Sequence, residues 1–236
     1  MKMFTRSTSK SFSRLTAMLL LATAACTFSS CSKDENSVAA ISGLSVVNVS
    51  PTLATYNVYL NSTKVSTAAL PFTGSINYFQ ITPGINSVKF TTASSTESVL
   101  TKSINLEADK AYSLYLVDKA DKLDGFLVSD DLTVATADKA AIRFINLSPD
   151  AGTLTLNQIS GSSLSTDQAY KGVSAFSNTE AKTYSLQIQD KATGTVLAKL
   201  EKVTLTAGKI YTIIAAGLVA PSTNDQPLRI SVVTNN

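Results

Sequence analysis

Five aspartates crowd one short stretch of the chain: Asp118, Asp121, Asp124, Asp130 and Asp131. Carboxylates this close could hold a cation, and Asp118-x-x-Asp121-x-x-Asp124-Gly125 superficially suggests a calcium loop. An EF-hand needs an oxygen ligand at every second residue and a closing glutamate; here the aspartates fall at every third residue, with Lys119 and Lys122 interleaved. A solvated hairpin loop is the favoured reading, and neither a metal nor any other cofactor is expected. The wider catalytic repertoire is thin. With no histidine in the chain, imidazole bases and Ser-His-Asp triads are excluded. Cys26 and Cys31 are the two cysteines, so the body after them has no thiol nucleophile, zinc ribbon or disulfide. Phosphate loops and dinucleotide fingerprints do not occur. Carboxylate pairs stay open in principle, yet no catalytic residue is singled out and the expectation is a protein that is not an enzyme.

Binding chemistry has more to work with. Sugars favour aromatic platforms, and in the absence of tryptophan the candidates are tyrosines. By strand alternation Tyr59 and Tyr115 point outward in the first half of the chain, where the second half presents Thr155 and Ile214. Those two tyrosines form the candidate binding face, against the plainer alternative that tyrosine simply suits strands.

The elements that would position these residues repeat. Val46-Val47-Asn48-Val49-Ser50-Pro51 returns 98 residues later as Phe144-Ile145-Asn146-Leu147-Ser148-Pro149. Each reads as a strand that stops abruptly, because proline lacks a ladder N–H and turns the preceding residue away from helix. Leu44, Val46, Val47 and Val49 put apolar groups on both faces, as a strand between covering layers would. Tyr56-Asn57-Val58-Tyr59-Leu60 alternates cleanly and is followed by an Asn61-Ser62-Thr63 turn. Tyr78 corresponds to Phe176 at the same offset.

One residue is then gained, and Leu106-Glu107-Ala108-Asp109-Lys110-Ala111-Tyr112 is matched by Leu205-Thr206-Ala207-Gly208-Lys209-Ile210-Tyr211. A leucine six residues before a tyrosine across a tight turn resembles the tyrosine corner of immunoglobulin-like sandwiches. That resemblance implies structural roles for Tyr112 and Tyr211, with the hydroxyl bonded to backbone a few residues upstream. The expected fold is all-β: two tandem immunoglobulin-like β-sandwiches, residues 39–134 and 139–236, of about 95 residues each. The short connection between them leaves little room for free movement.

The first 30 residues stand apart. Lys2, Arg6, Lys10 and Arg14 precede Leu15 to Phe28, an uncharged and mostly apolar run. As a helix it would reach about 21 Å, short of the roughly 30 Å of a bilayer core, so it reads as a cleaved export signal. Small residues before a cysteine resemble a bacterial lipobox. Cys31, followed by Ser32-Lys33-Asp34-Glu35, is favoured as the lipidated residue over the alternative Cys26. Residues 31–38 then form the acylated N-terminus and a polar tether. The resemblance implies a lipid-anchored, surface-exposed location on a bacterial outer membrane, where Asn48, Asn61 and Asn146 in their Asn-x-Ser/Thr triplets meet no eukaryotic-type glycosylation. Losing the four leader cations reduces 20 basic residues to 16 against 17 acidic, so the +3 charge of the whole chain is no argument for nucleic acid.

After residue 38 the chain resembles a pair of domains of the bacterial domain-of-unknown-function 4397 family. The matching pieces are Asn146-Leu147-Ser148-Pro149-Asp150, Tyr56-Asn57-Val58-Tyr59-Leu60-Asn61 and Ile81-Thr82-Pro83-Gly84. Thr52 departs from the aspartate after Ser-Pro, and Ala181-Lys182 from the Pro-Gly turn. The family brings no activity with it. The expected work is ligand binding or adhesion, with a glycan, matrix polymer or envelope protein as partner; the alternative is a structural spacer.

Overall fold

The computed structural model describes residues 40–119, 122–133 and 135–236. Cys26, Cys31 and the tether lie outside them. Residues 40–236 form one compact unit built from two tandem all-β sandwiches.

In the first sandwich, the outer sheet has the order β3 (Thr63–Lys64), β2 (Tyr56–Leu60), β5 (Gly84–Thr92), β6 (Ser98–Leu106). Its inner sheet runs β4 (Ser75–Ile81), β1 (Ser42–Asn48), β7 (Ala111–Val117), β8 (Asp124–Asp130). The second sandwich repeats this. Its outer sheet is β11 (Ser163–Gln168), β10 (Leu154–Gln158), β13 (Thr183–Asp190), β14 (Val196–Thr204). Its inner sheet is β12 (Ser177–Glu180), β9 (Lys139–Asn146), β15 (Ile210–Ala216), β16 (Arg229–Thr234). In each inner sheet the first strand pairs in parallel with the penultimate one, Val47 opposite Tyr115 and Ile145 opposite Ile214. Other strand pairs are antiparallel, as short connections require. Asn61 and Ser62 both have positive φ, 45° and 74°, which matches the twist of the tight β2–β3 hairpin.

Each sandwich closes on its own core. Leu44, Val46, Val58, Phe90 and Leu114 fill the first; Phe144, Leu154, Leu186 and Ile213 fill the second. A third apolar cluster lies between them, made of Val47, Val49, Tyr115 and Val117 against Ile145, Leu147, Ile214 and Ala216. The two inner sheets therefore pack face to face, and each is covered on both sides. This explains why β7, β9 and β15 are almost continuously apolar rather than alternating. It also corrects the outward assignment of Tyr115, which is 0% exposed: the layer its side chain faces is the other sandwich, not solvent.

The Asn-x-Ser-Pro stops do structural work. The buried Asn48 carboxamide donates to Leu70 O at 3.1 Å and accepts from the Ser50 N–H at 3.1 Å. Asn146 repeats both bonds, donating to Gln168 O at 3.1 Å and accepting from the Ser148 N–H at 3.1 Å. Each carboxamide thus supplies partners that the ended strand can no longer offer, and pins the loop that crosses it.

Candidate functional site

Tyr59 stands on the solvent side of the outer sheet of the first sandwich, because its neighbour Val58 is buried in the core and side chains alternate. Cross-strand pairing sets Lys64 on one side of it and Lys89 on the other. The Lys89 ammonium lies 4.5 Å from the Tyr59 ring centroid, a cation–π contact. Among the described residues neither lysine forms an ion pair. Beside the ring is an open cleft of about 470 Å³ lined by Asn57, Tyr59, Ser95, Thr96 and Glu97. Hydroxyls, a carboxamide and a carboxylate around one aromatic ring can hydrogen-bond and stack on a polyol, or hold a polar peptide. Tyr59 and Tyr115 are not brought together: one is on the outer sheet, the other in the seam between sandwiches.

Tyr112 and Tyr211 sit at equivalent corners. The Glu107 N–H donates to the Tyr112 hydroxyl at 3.3 Å, and the Thr206 N–H to the Tyr211 hydroxyl at 3.0 Å. Both rings are 7% exposed, which leaves no room for solution chemistry.

The aspartate cluster is dispersed into paired positions. Asp118 accepts from the Tyr170 hydroxyl at 2.6 Å, a contact from first to second sandwich. Burial, then this carboxylate, push the Tyr170 phenol well above its ordinary range. Asp124 is bonded by Lys102 at 2.8 Å and by Lys171 at 3.1 Å. Burial works against its charged form, but those two ammonium groups outweigh it and hold the carboxyl below the usual value. Asp131 accepts from the N–H and hydroxyl of Thr133 in its own turn. Asp121 lies outside the described residues. Asp118 and Asp124 are therefore cross-sandwich anchors rather than members of a solvated loop, and among the described residues no three potential ligating side chains gather as a metal site.

Asp130 is the member that matters most. Its side chain is 0% exposed and ion-pairs with Arg143 of the second sandwich at 2.5 Å. Asp130 also accepts from Tyr78 and, at 2.7 Å, from the Ser113 hydroxyl. The Arg143 fork continues outward, with Nε donating to Thr212 Oγ1 at 2.9 Å and Nη2 to the Tyr115 hydroxyl at 3.2 Å. Its guanidinium stacks 4.6 Å from the Phe176 centroid. Asn235 closes the ring of contacts, accepting from Thr212 at 2.8 Å and donating to the Tyr78 hydroxyl at 3.0 Å. Burial first, and Asp130 second, push the Tyr78 phenol far up. Sequence reasoning passed over Arg143 and Asn235. A signal existed: Arg143 interrupts Ala140-Ala141-Ile142-Arg143-Phe144-Ile145, and a lone charge in a buried strand calls for a buried partner.

A clasp closes another part of the seam. The loop between β15 and β16 reaches back to the first sandwich: Asp225 bridges Thr52, the Gln226 N–H donates to Pro51 O at 3.1 Å, and Lys119 pairs with Asp225 at 2.8 Å. Asp150 anchors the same loop by accepting from the N–H groups of Val219 and Ala220 at 2.9 Å each. The backbone bond of the clasp is thus received at Pro51 O, next to Thr52, whose own N–H turns to Ser50 O at 2.8 Å.

Residues 42–157 match the model of a family described as a domain of unknown function, DUF4397. The matched stretch covers the first sandwich with β9 and β10, so it takes in both Asp130 and Arg143. Over that stretch the chain resembles the family. No curated protein matches the chain. Among solved structures, the Bacillus anthracis TIE protein aligns at 13% identity and a TM-score of 0.25, covering 76% of this chain and 34% of that one. This chain thus spans about a third of its length. A family-26 carbohydrate-binding module from Eubacterium rectale Amy13K, in complex with maltoheptaose, aligns at 11% identity and a TM-score of 0.25, covering 82% and 95%. At those scores neither likeness bears on what this chain binds.

Proposed function

We propose that the protein is a non-catalytic cell-envelope lipoprotein, acylated at Cys31, that binds a ligand on the outer sheet of its first sandwich around Tyr59. The ligand is a glycan, a matrix polymer or another envelope protein. The observation that carries this reading is the Tyr59 face itself: a half-buried aromatic ring between Lys64 and Lys89, beside a cleft lined by Asn57, Thr96 and Glu97. Both inner sheets are consumed by the seam, so ligand contacts fall to outer sheets, edges and loops. Strand pairing corrects the counterpart of Tyr59 in the second sandwich from Thr155 to Asn157, which likewise offers no ring for stacking.

A structural spacer is the second reading, favoured by the third apolar cluster, which joins the sandwiches into one body. A soluble form beginning after Cys31, screened on a glycan array beside Tyr59→Ala, separates them. Binding by the parent that is lost in Tyr59→Ala, with the melting temperature unchanged, supports the ligand reading. A blank array, followed by crosslinks from the outer sheet to one envelope protein, replaces glycan with protein as ligand. A blank array with no such crosslink leaves the spacer.

A further inference from the structure

The seam between the sandwiches is built from matching positions of the two repeats. Val47, Val49, Tyr115 and Val117 of the first sandwich meet Ile145, Leu147, Ile214 and Ala216 of the second, each 98 or 99 residues later in the chain. A patch that packs on its own counterpart is an isologous contact, the kind that usually joins two copies of one subunit.

The match breaks in the polar part of the seam. Asp130 pairs across the sheet with Ala111, and at the equivalent place the Asn235 N–H donates to Ile210 O. Ser45 holds the position matching Arg143, and Ser113 the position matching Thr212. The unlike pairing therefore joins Arg143 to Asp130, and Asn235 to Tyr78, with each buried charge answered. Two first sandwiches docked in the same way would bury two Asp130 carboxylates against serines. Two second sandwiches would bury two Arg143 guanidiniums against Asn235. Removing a charge from water without its counter-ion is strongly unfavourable, so both like pairings are disfavoured while the apolar surface alone would permit them.

We infer that the inter-sandwich face is a self-association surface made directional by one charge pair, accepting an unlike sandwich and rejecting a like one. The pair's value lies in that choice more than in stability, since a buried ion pair adds little over a well-packed apolar one. On a membrane crowded with copies of this chain, it keeps each first sandwich on a second.

The test uses the whole soluble protein with a protease site placed in the exposed connection at Thr136, Ala137 and Asp138. The folded chain is cut, passed through mild denaturant and back, and its species are weighed by native mass spectrometry. The cut parent should return as a one-to-one complex of its two halves. Arg143→Ser with Asp130→Asn gives each repeat its counterpart's residue, and should yield like-with-like dimers beside the one-to-one complex. If that variant fails to fold, Asp130→Asn with Arg143→Gln neutralises the same pair with less change of shape. Separated halves, or like-with-like dimers from the cut parent, would overturn the inference. So would a neutralised protein that still returns only the one-to-one complex.

Discussion

Truncating Tyr115 tests whether the two sandwiches share a core. The ring is 0% exposed within the seam cluster, and its hydroxyl accepts from Arg143 Nη2 at 3.2 Å. Removing a fully buried aromatic side chain costs about 3–5 kcal/mol. Losing a hydrogen bond to a charged donor costs roughly 1.5–3 kcal/mol. The two losses share one cavity and overlap, so Tyr115→Ala should cost about 4–6 kcal/mol. For a unit of this size each kcal/mol shifts the melting point by about 2–4 °C, giving a drop on the order of 10–20 °C. Tyr115→Phe keeps the packing and loses only the hydrogen bond, so it should lower the melting point by about 3–12 °C, less than Tyr115→Ala. Tyr59→Ala, on the solvent side, should stay within about 2–4 °C. Calorimetry on the soluble form reads all three. If Tyr115→Ala melts with Tyr59→Ala, close to the parent, the seam is not a closed core and the inference built on it falls too.

Other perturbations address separate parts of the fold. Asn48→Ala strands the buried Ser50 N–H and takes from the Leu70 carbonyl one of its two donors, the Tyr56 N–H remaining, and should cost about 1–3 kcal/mol by urea denaturation; an unchanged midpoint would refute the clamp. Tyr211→Phe removes the acceptor of the Thr206 N–H and should cost on the order of 1 kcal/mol, and Tyr112→Phe no more, because its bond is longer at 3.3 Å against 3.0 Å. The hydrogen bond from Lys119, followed by those from Ser222, holds the Asp225 carboxyl down to about 2 from an ordinary 3.8. A carboxyl depressed in the folded state contributes stability that is present above its ordinary value and lost as pH falls through the folded one. The clasp therefore weakens from about pH 4 to about pH 2. Asp225→Asn should flatten that part of the stability–pH curve, and an unaltered acid slope would show that the clasp contributes nothing.

Much of the fold is written locally. Period-2 alternation marked Tyr56–Leu60, Ser-Pro stops marked the ends after Asn48 and Asn146, and an echo at 98 and 99 residues showed that one arrangement is used twice. These signals are legible because strand, turn and repeat depend on neighbours in the chain. The candidate face was only half legible. Alternation turned both Tyr59 and Tyr115 away from the local core of their sandwich; beyond Tyr59 lies solvent, beyond Tyr115 the other sandwich. Alternation could not say what lay beyond either.

The sequence by itself determined an all-β chain of two similar sandwiches, with no histidine or body cysteine to support imidazole or thiol chemistry. It even carried the hint that Leu44, Val46, Val47 and Val49 need cover on both faces. Only the tertiary structure decided what provides that cover. Val47 and Tyr115 meet Ile145 and Ile214, and Asp130 meets Arg143, across a seam whose partners belong to different repeats. Periodicity reports which face of a strand is apolar, because that is a property of consecutive residues. Whether the face meets water, a ligand or a second sheet depends on how whole layers dock, and docking is settled by shape and charge summed over both surfaces.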